Sequence, residues 1–208
     1  MDKRREDVLD ASYFHVVFTV PQELNSLIYS NQQLLYDAMY RCVSATINEL
    51  TEDTKHLGAR VGYICVLHTW GSEMNYHPHI HVILLGGGLT AKNQWRDKGE
   101  EFFLPVKVMS KLFRGKYMDE LKSLYEAKKL QFHGSSEKYH NHYVFKELLN
   151  SCYEKDWIPH CKKTFNGAQS VINYLGKYTH RIAISNHRII RMNEDTVTYY
   201  VKDYREEG

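Results

Sequence analysis

Long hydrophobic runs, paired cysteines and proline are what this sequence has least of. Its longest apolar stretch, around Val82–Leu85, is far short of the ~18 residues a membrane span requires. No apolar signal core follows the charged start Met1-Asp2-Lys3-Arg4-Arg5-Glu6-Asp7, so a cytoplasmic protein with no membrane partner is expected. The 4 cysteines, Cys42, Cys65, Cys152 and Cys161, form no CxxC pair; this argues against a disulfide framework and a zinc finger and for reduced thiols. With only 4 prolines and 12 glycines in 208 residues, collagenous and fully disordered chains are excluded. Net charge is also scarce, 27 Lys and Arg standing against 25 Asp and Glu. What remains is an ordinary folded composition, 43% apolar and 25% charged, on a chain long enough for one sizeable domain spanning 1–208.

A local absence is more informative than the totals. From Trp157 to Asn193 there is no Asp or Glu, while Lys162, Lys163, Lys177, Arg181, Arg188 and Arg191 contribute +6 and His160, His180 and His187 stand among them. The rest of the chain is mildly acidic. An acid-free basic stretch is what a phosphate-facing surface needs, because each neutralised phosphate releases counterions.

Hydrophobic spacing gives the elements. Phe14–Val20 is a β-branched and aromatic run stopped by Pro21 and reads as a strand. Apolar residues at three-to-four-residue steps (Leu24, Leu27, Ile28, then Leu35, Met39, Val43, Ile47, Leu50) predict a short helix and a longer one. Val61–Leu67 and His79–Leu85 are strands joined by the polar segment 68–78, the second ended by Gly86-Gly87-Gly88. Residues 105–130 and Tyr143–Tyr153 are helical, forming an insertion at about 105–155. A strand at Trp157–Lys163, a helix at Gly167–Tyr178 and three further strands, Arg181–Ser185, Arg188–Met192 and Thr196–Tyr204, complete the pattern. Without a regular βαβ rhythm, the fold class is α+β, a largely antiparallel central sheet with helices on its faces.

The stretch His77-Pro78-His79-Ile80-His81 carries the first chemical signal. On a strand His79 and His81 share one face and Ile80 and Val82 the other, so two imidazoles can grip one ion. Two histidines alone hold a divalent metal loosely. His68, at the end of the preceding strand, is the first choice for a third ligand; Glu73, a hard oxygen donor suited to Mg²⁺ or Mn²⁺, is the second. His140 and His142 alternate too, within a polar segment that reads as solvated loop.

The second signal is Asn173-Tyr174-Leu175-Gly176-Lys177-Tyr178. On a helix Tyr174 and Tyr178 lie about 40° apart and about 6 Å apart along the axis, so both hydroxyls can enter one cleft. Flanking tyrosines most often simply pack. Beside a metal pair and a basic stretch, though, a phenol can attack a phosphodiester: the metal polarises the phosphate, and Lys177 can stabilise the phenolate or the leaving oxygen.

Taken together, these motifs resemble the HUH superfamily of single-strand endonucleases and, more narrowly, the two-tyrosine rolling-circle transposases of the insertion-sequence ninety-one family. The likeness rests on Tyr13–Pro21, Leu67-His68-Thr69-Trp70-Gly71, His77–His81 and the block Tyr174–Arg188. It implies a metal-dependent nick of single-stranded DNA, at transposon ends and target, that leaves the 5′ phosphate on a tyrosine and frees a 3′ hydroxyl. By position His79 and His81 match the metal pair, Tyr174 and Tyr178 the nucleophiles, and Lys177 the lysine between them. Lys162, Lys163, His180, Arg181, Asn186, Arg188 and Arg191 are the expected DNA-facing residues; Mg²⁺ or Mn²⁺ is the expected cofactor, with no small-molecule cofactor, and the protein would be associated with a bacterial nucleoid. Family members usually carry a cysteine-rich segment before the first strand and more chain after the last, so the sequence looks like a catalytic domain or a shortened relative. The competing reading is a non-cleaving single-stranded DNA-binding module using Trp70, Tyr76 and Trp157 as stacking platforms.

Overall fold

The computed structural model describes residues 9, 11–71, 73–99, 104–157, 159–165, 184 and 188–201. The order is β1 (Tyr13–Thr19), α1 (Asn25–Ser30), α2 (Gln32–Glu52), β2 (Arg60–Trp70), β3 (Tyr76–Leu89), β4 (Trp95–Asp97), α3 (Val106–Glu126), α4 (His142–Tyr153), β5 (His160–Phe165), β6 (Ile189–Met192) and β7 (Val197–Tyr199). The main sheet runs β2-β3-β1-β5, every neighbouring pair antiparallel, with β4 pairing the far end of β3. β6 and β7 form a separate two-stranded ribbon. This is the expected α+β class.

Alternation divides the sheet into two faces. Phe14, Val16 and Phe18 of β1 and Ile80, Val82 and Leu84 of β3 are buried in one core with Leu35, Met39, Val43 and Ile47 of α2 and Met109, Phe113, Tyr117 and Leu121 of α3. The helices therefore lie on this face because their apolar stripes have it to cover. The Phe113 ring meets Phe18 edge-on at 5.1 Å and Trp157 at 5.6 Å. Trp157 is 3% exposed and its indole N–H donates to the Cys152 carbonyl, so it belongs to the core and is not a platform for bases.

β2 and β3 are longer than hydrophobicity alone predicts. Pairing continues through His68↔His79 and Trp70↔Tyr76, leaving only residues 71–75 as the turn, where the Gly71 N–H donates to the Asn75 carbonyl. Nor do the glycines end β3. Gly88 lies opposite Val61, and a Cβ there would come within 2.2 Å of the Arg60 carbonyl oxygen, so this is a place where two backbones approach too closely for any side chain.

The expected helix 167–178 and, apart from Ile184, the expected strand 181–185 lie outside the described residues, as do Tyr174, Lys177, Tyr178, His180, Arg181 and Asn186. Among the described residues no helix is long and apolar enough to cross a membrane.

Candidate metal centre

The face of the sheet opposite the helices carries the histidines. β3 presents His77, His79 and His81 there, and the register sets His68 of β2 directly across from His79. On the other side β1 brings Thr19 opposite His79 and Val17 opposite His81. Ring nitrogens of His68, His79 and His81 all lie within 4.8 Å of one another, making the one such cluster of metal-binding side chains among the described residues. Glu73, the alternative third ligand, is exposed in the turn and outside this group; its backbone carbonyl accepts the Tyr199 hydroxyl.

Each of the three rings is held by a neighbour. The Nδ1–H of His79 donates to the His77 carbonyl at 2.7 Å, which leaves the Nε2 lone pair directed into the cluster. His68 stacks on Trp70, centroids 4.8 Å apart and planes 14° apart. Nδ1 of His81 is 2.8 Å from Nε2 of His15 on β1. His15 was not among the residues read from sequence. It sits in a hydrophobic strand run, and its partner is 66 residues away; only its parity, opposite to Phe14 and Val16, hinted that it faces away from the core.

Burial sets the charge state. Desolvation, reinforced by the mutual repulsion of neighbouring imidazolium charges, pushes His79 down to about 4 and His81 down to about 2. At neutral pH both are therefore uncharged donors. The fit to a divalent ion is good: Nε2 of His79 and Nε2 of His81 are 3.0 Å apart, the spacing of two nitrogens each about 2.1 Å from one ion and about 90° apart around it. Three imidazole nitrogens with no carboxylate suit Mn²⁺ and the later transition metals better than Mg²⁺, which favours oxygen.

Strand pairing sets Lys162 opposite His15 and Lys163 opposite Phe14. Arg188 is tied into the ribbon by donating from Nε to the Tyr200 carbonyl at 2.9 Å, and its guanidinium lies 5.8 Å from the Tyr199 ring centroid. Arg191 is exposed on β6. Through Tyr199 and the Glu73 carbonyl the ribbon is joined to the β2–β3 turn beside the cluster. Of the aromatic platforms considered, Tyr76 hydrogen-bonds the Tyr36 hydroxyl at 2.7 Å and Trp70 is occupied by His68.

Comparison with known proteins gives the following. The model of the family Y2_Tnp, described as "Putative transposase", matches residues 62–208. A "Putative transposase y4qJ" of Sinorhizobium fredii (strain NBRC 101917 / NGR234) is 37% identical over 99% of this chain and 52% of its own length. The "Transposase for insertion sequence element IS801" of Pseudomonas savastanoi pv. phaseolicola is 27% identical over 94% of this chain and 46% of its own. The chain thus spans about half the length of the curated relatives it matches. Among solved structures, the conjugative relaxase TrwC in complex with OriT DNA resembles it in a copper-bound structure, with TM-score 0.43 and 14% identity over 88% of this chain and 75% of that one. A metal-bound structure of the same relaxase gives TM-score 0.42 and 17% identity over 60% and 48%.

Proposed function

Since the chain belongs to the Y2_Tnp family of transposases, we propose that it is a metal-dependent single-stranded DNA endonuclease and strand transferase of rolling-circle transposition, with transposon ends and target as its substrates. The observation that carries this reading is the cluster of His68, His79 and His81 on the face of the sheet opposite α2 and α3. Those three residues would hold a divalent ion, Mn²⁺ in preference to Mg²⁺ on the donor set, and it would supply charge to neutralise and align the scissile phosphate. The chain's own residues do the rest. Tyr174 or Tyr178 attacks phosphorus through its hydroxyl oxygen, the bond from phosphorus to the 3′ oxygen breaks, that oxygen takes a proton, and the 5′ phosphate is left joined to tyrosine. Lys177 stabilises the phenolate or the departing oxygen. The second tyrosine makes or reverses a second cut, so bond energy is conserved and no nucleotide triphosphate is consumed. Lys162, Lys163, His180, Arg181, Asn186, Arg188 and Arg191 track the strand's backbone.

The deciding experiment mixes the protein with end-labelled single-stranded oligonucleotides containing an element end, in Mn²⁺ or Mg²⁺, and follows adducts by denaturing gel and mass spectrometry. A 5′-phosphotyrosine adduct at Tyr174 or Tyr178, lost on chelation and in the double variant Tyr174→Phe/Tyr178→Phe, is expected. Tight binding with no adduct under any metal returns the chain to the non-cleaving module.

A further inference from the structure

Two of the three imidazoles in the cluster must present the same nitrogen, Nε2, and a neutral imidazole does so only when its proton resides on Nδ1. For His79 the proton is fixed by the His77 carbonyl, which can only accept. For His81 the partner is another imidazole: Nδ1 lies 2.8 Å from Nε2 of His15, with the two rings within 8° of coplanar and centroids 5.0 Å apart. Near-coplanarity at that separation is an edge-to-edge meeting, the in-plane geometry of an N–H···N hydrogen bond. Both rings are almost sealed from solvent, His15 being 8% and His81 8% exposed, so water does not offer an equal alternative partner for this edge.

We propose that His15 is a positioning residue of the metal centre: its Nε2 accepts the Nδ1–H of His81 and so fixes the tautomer and ring orientation that present Nε2 of His81 to the ion. Strand register explains how it reaches. Val17 is directly opposite His81 and His15 opposite Ile83, which makes His15 and His81 a diagonal pair on one face of an antiparallel ladder, close enough for long or ring side chains to meet. With Nε2 occupied by His81, His15 is turned to support the cluster and is absent from the group of three donors. Each ligand is then supported differently, His79 by a carbonyl, His68 by an indole face and His81 by an imidazole. Such outer partners typically change metal affinity about 10–100-fold when removed.

The inference rests on the metal-centre reading above, and its test separates the two. In protein saturated with diamagnetic Zn²⁺ and labelled with ¹⁵N at histidine, two-bond correlations in NMR should show His81 protonated on Nδ1, with a coupling across the hydrogen bond to Nε2 of His15; this needs no variant. Calorimetric titration with Mn²⁺ should show His15→Leu, which keeps bulk without an acceptor, binding about 10–100-fold more weakly than the native chain. His15→Gln, whose amide oxygen can occupy the position of Nε2, should recover most of that loss. An Nε2-protonated His81, or His15→Leu binding Mn²⁺ as tightly as the native chain while His81→Ala does not, overturns the role of His15 alone. A native chain that takes up no Mn²⁺ overturns the metal reading and this proposal with it.

Discussion

Burying His79 and His81 makes them good ligands and makes the fold sensitive to acid. Both imidazoles are held below their ordinary value near 6.5, His79 at about 4. Between these limits the unfolded chain binds protons that the folded chain refuses, so stability is complete above pH ~6.5 and falls as pH drops toward 4, by at most about 1.4 kcal/mol per pH unit for each histidine. Urea unfolding of the metal-free protein at pH 7, 6 and 5 checks this; a midpoint that does not fall would show that the two rings are not desolvated in the folded state. Adding Mn²⁺ should raise the midpoint at pH 7, and His79→Ala should remove that increment, since binding to the native state alone stabilises by mass action. At this scale the sequence was legible where spacing carries direction: two histidines separated by one residue on a strand must share a face. It was silent on His15, because which residues of β1 meet β3 depends on register, and no local pattern encodes a contact across 66 residues.

Among the elements, α3 decides how well the sheet is backed. Phe113 is 1% exposed and touches Phe18, Tyr117 and Trp157, so Phe113→Ala should cost about 3–5 kcal/mol, read as a shift in the urea midpoint; a loss under about 1 kcal/mol would mean that α3 does not seal the core. The helical period of residues 106–126 made this helix visible in the sequence, as did the alternation of β1. The ends of β2 and β3 were harder to see. His68, Trp70 and Tyr76 look like a polar connection when judged by hydrophobicity, yet they are strand because each backbone pairs across a tight turn. The glycines at 86–88 look like a stop, yet they continue the strand because the neighbouring chain leaves no room for a Cβ at Gly88. In both places backbone pairing overrode the side-chain signal.

Across the whole molecule, charge is unevenly placed rather than abundant, with a net of +2 and an acid-free stretch from Trp157 to Asn193. If the ribbon follows a single strand of DNA, Arg191→Ala should weaken binding across unrelated sequences and reduce the slope of log affinity against log salt by about 0.7. Fluorescence anisotropy at several salt concentrations measures this; an unchanged slope removes Arg191 from the interface. The order of motifs along the chain made the family legible, while the meeting of the ribbon with the β2–β3 turn through Tyr199 and Glu73 depends on tertiary placement that composition does not report. One further consequence follows from β3, whose Ile80, Val82 and Leu84 serve the core while His79 and His81 serve the opposite face. The strand is read in two frames at once, like overlapping text. Inserting one residue between His81 and Val82 would force one half of β3 out of frame, sending imidazoles into the packing of α2 or aliphatic side chains onto the histidine face, whereas inserting two would restore the parity of both. The length of this strand is therefore constrained in steps of two, independently of which residues occupy it.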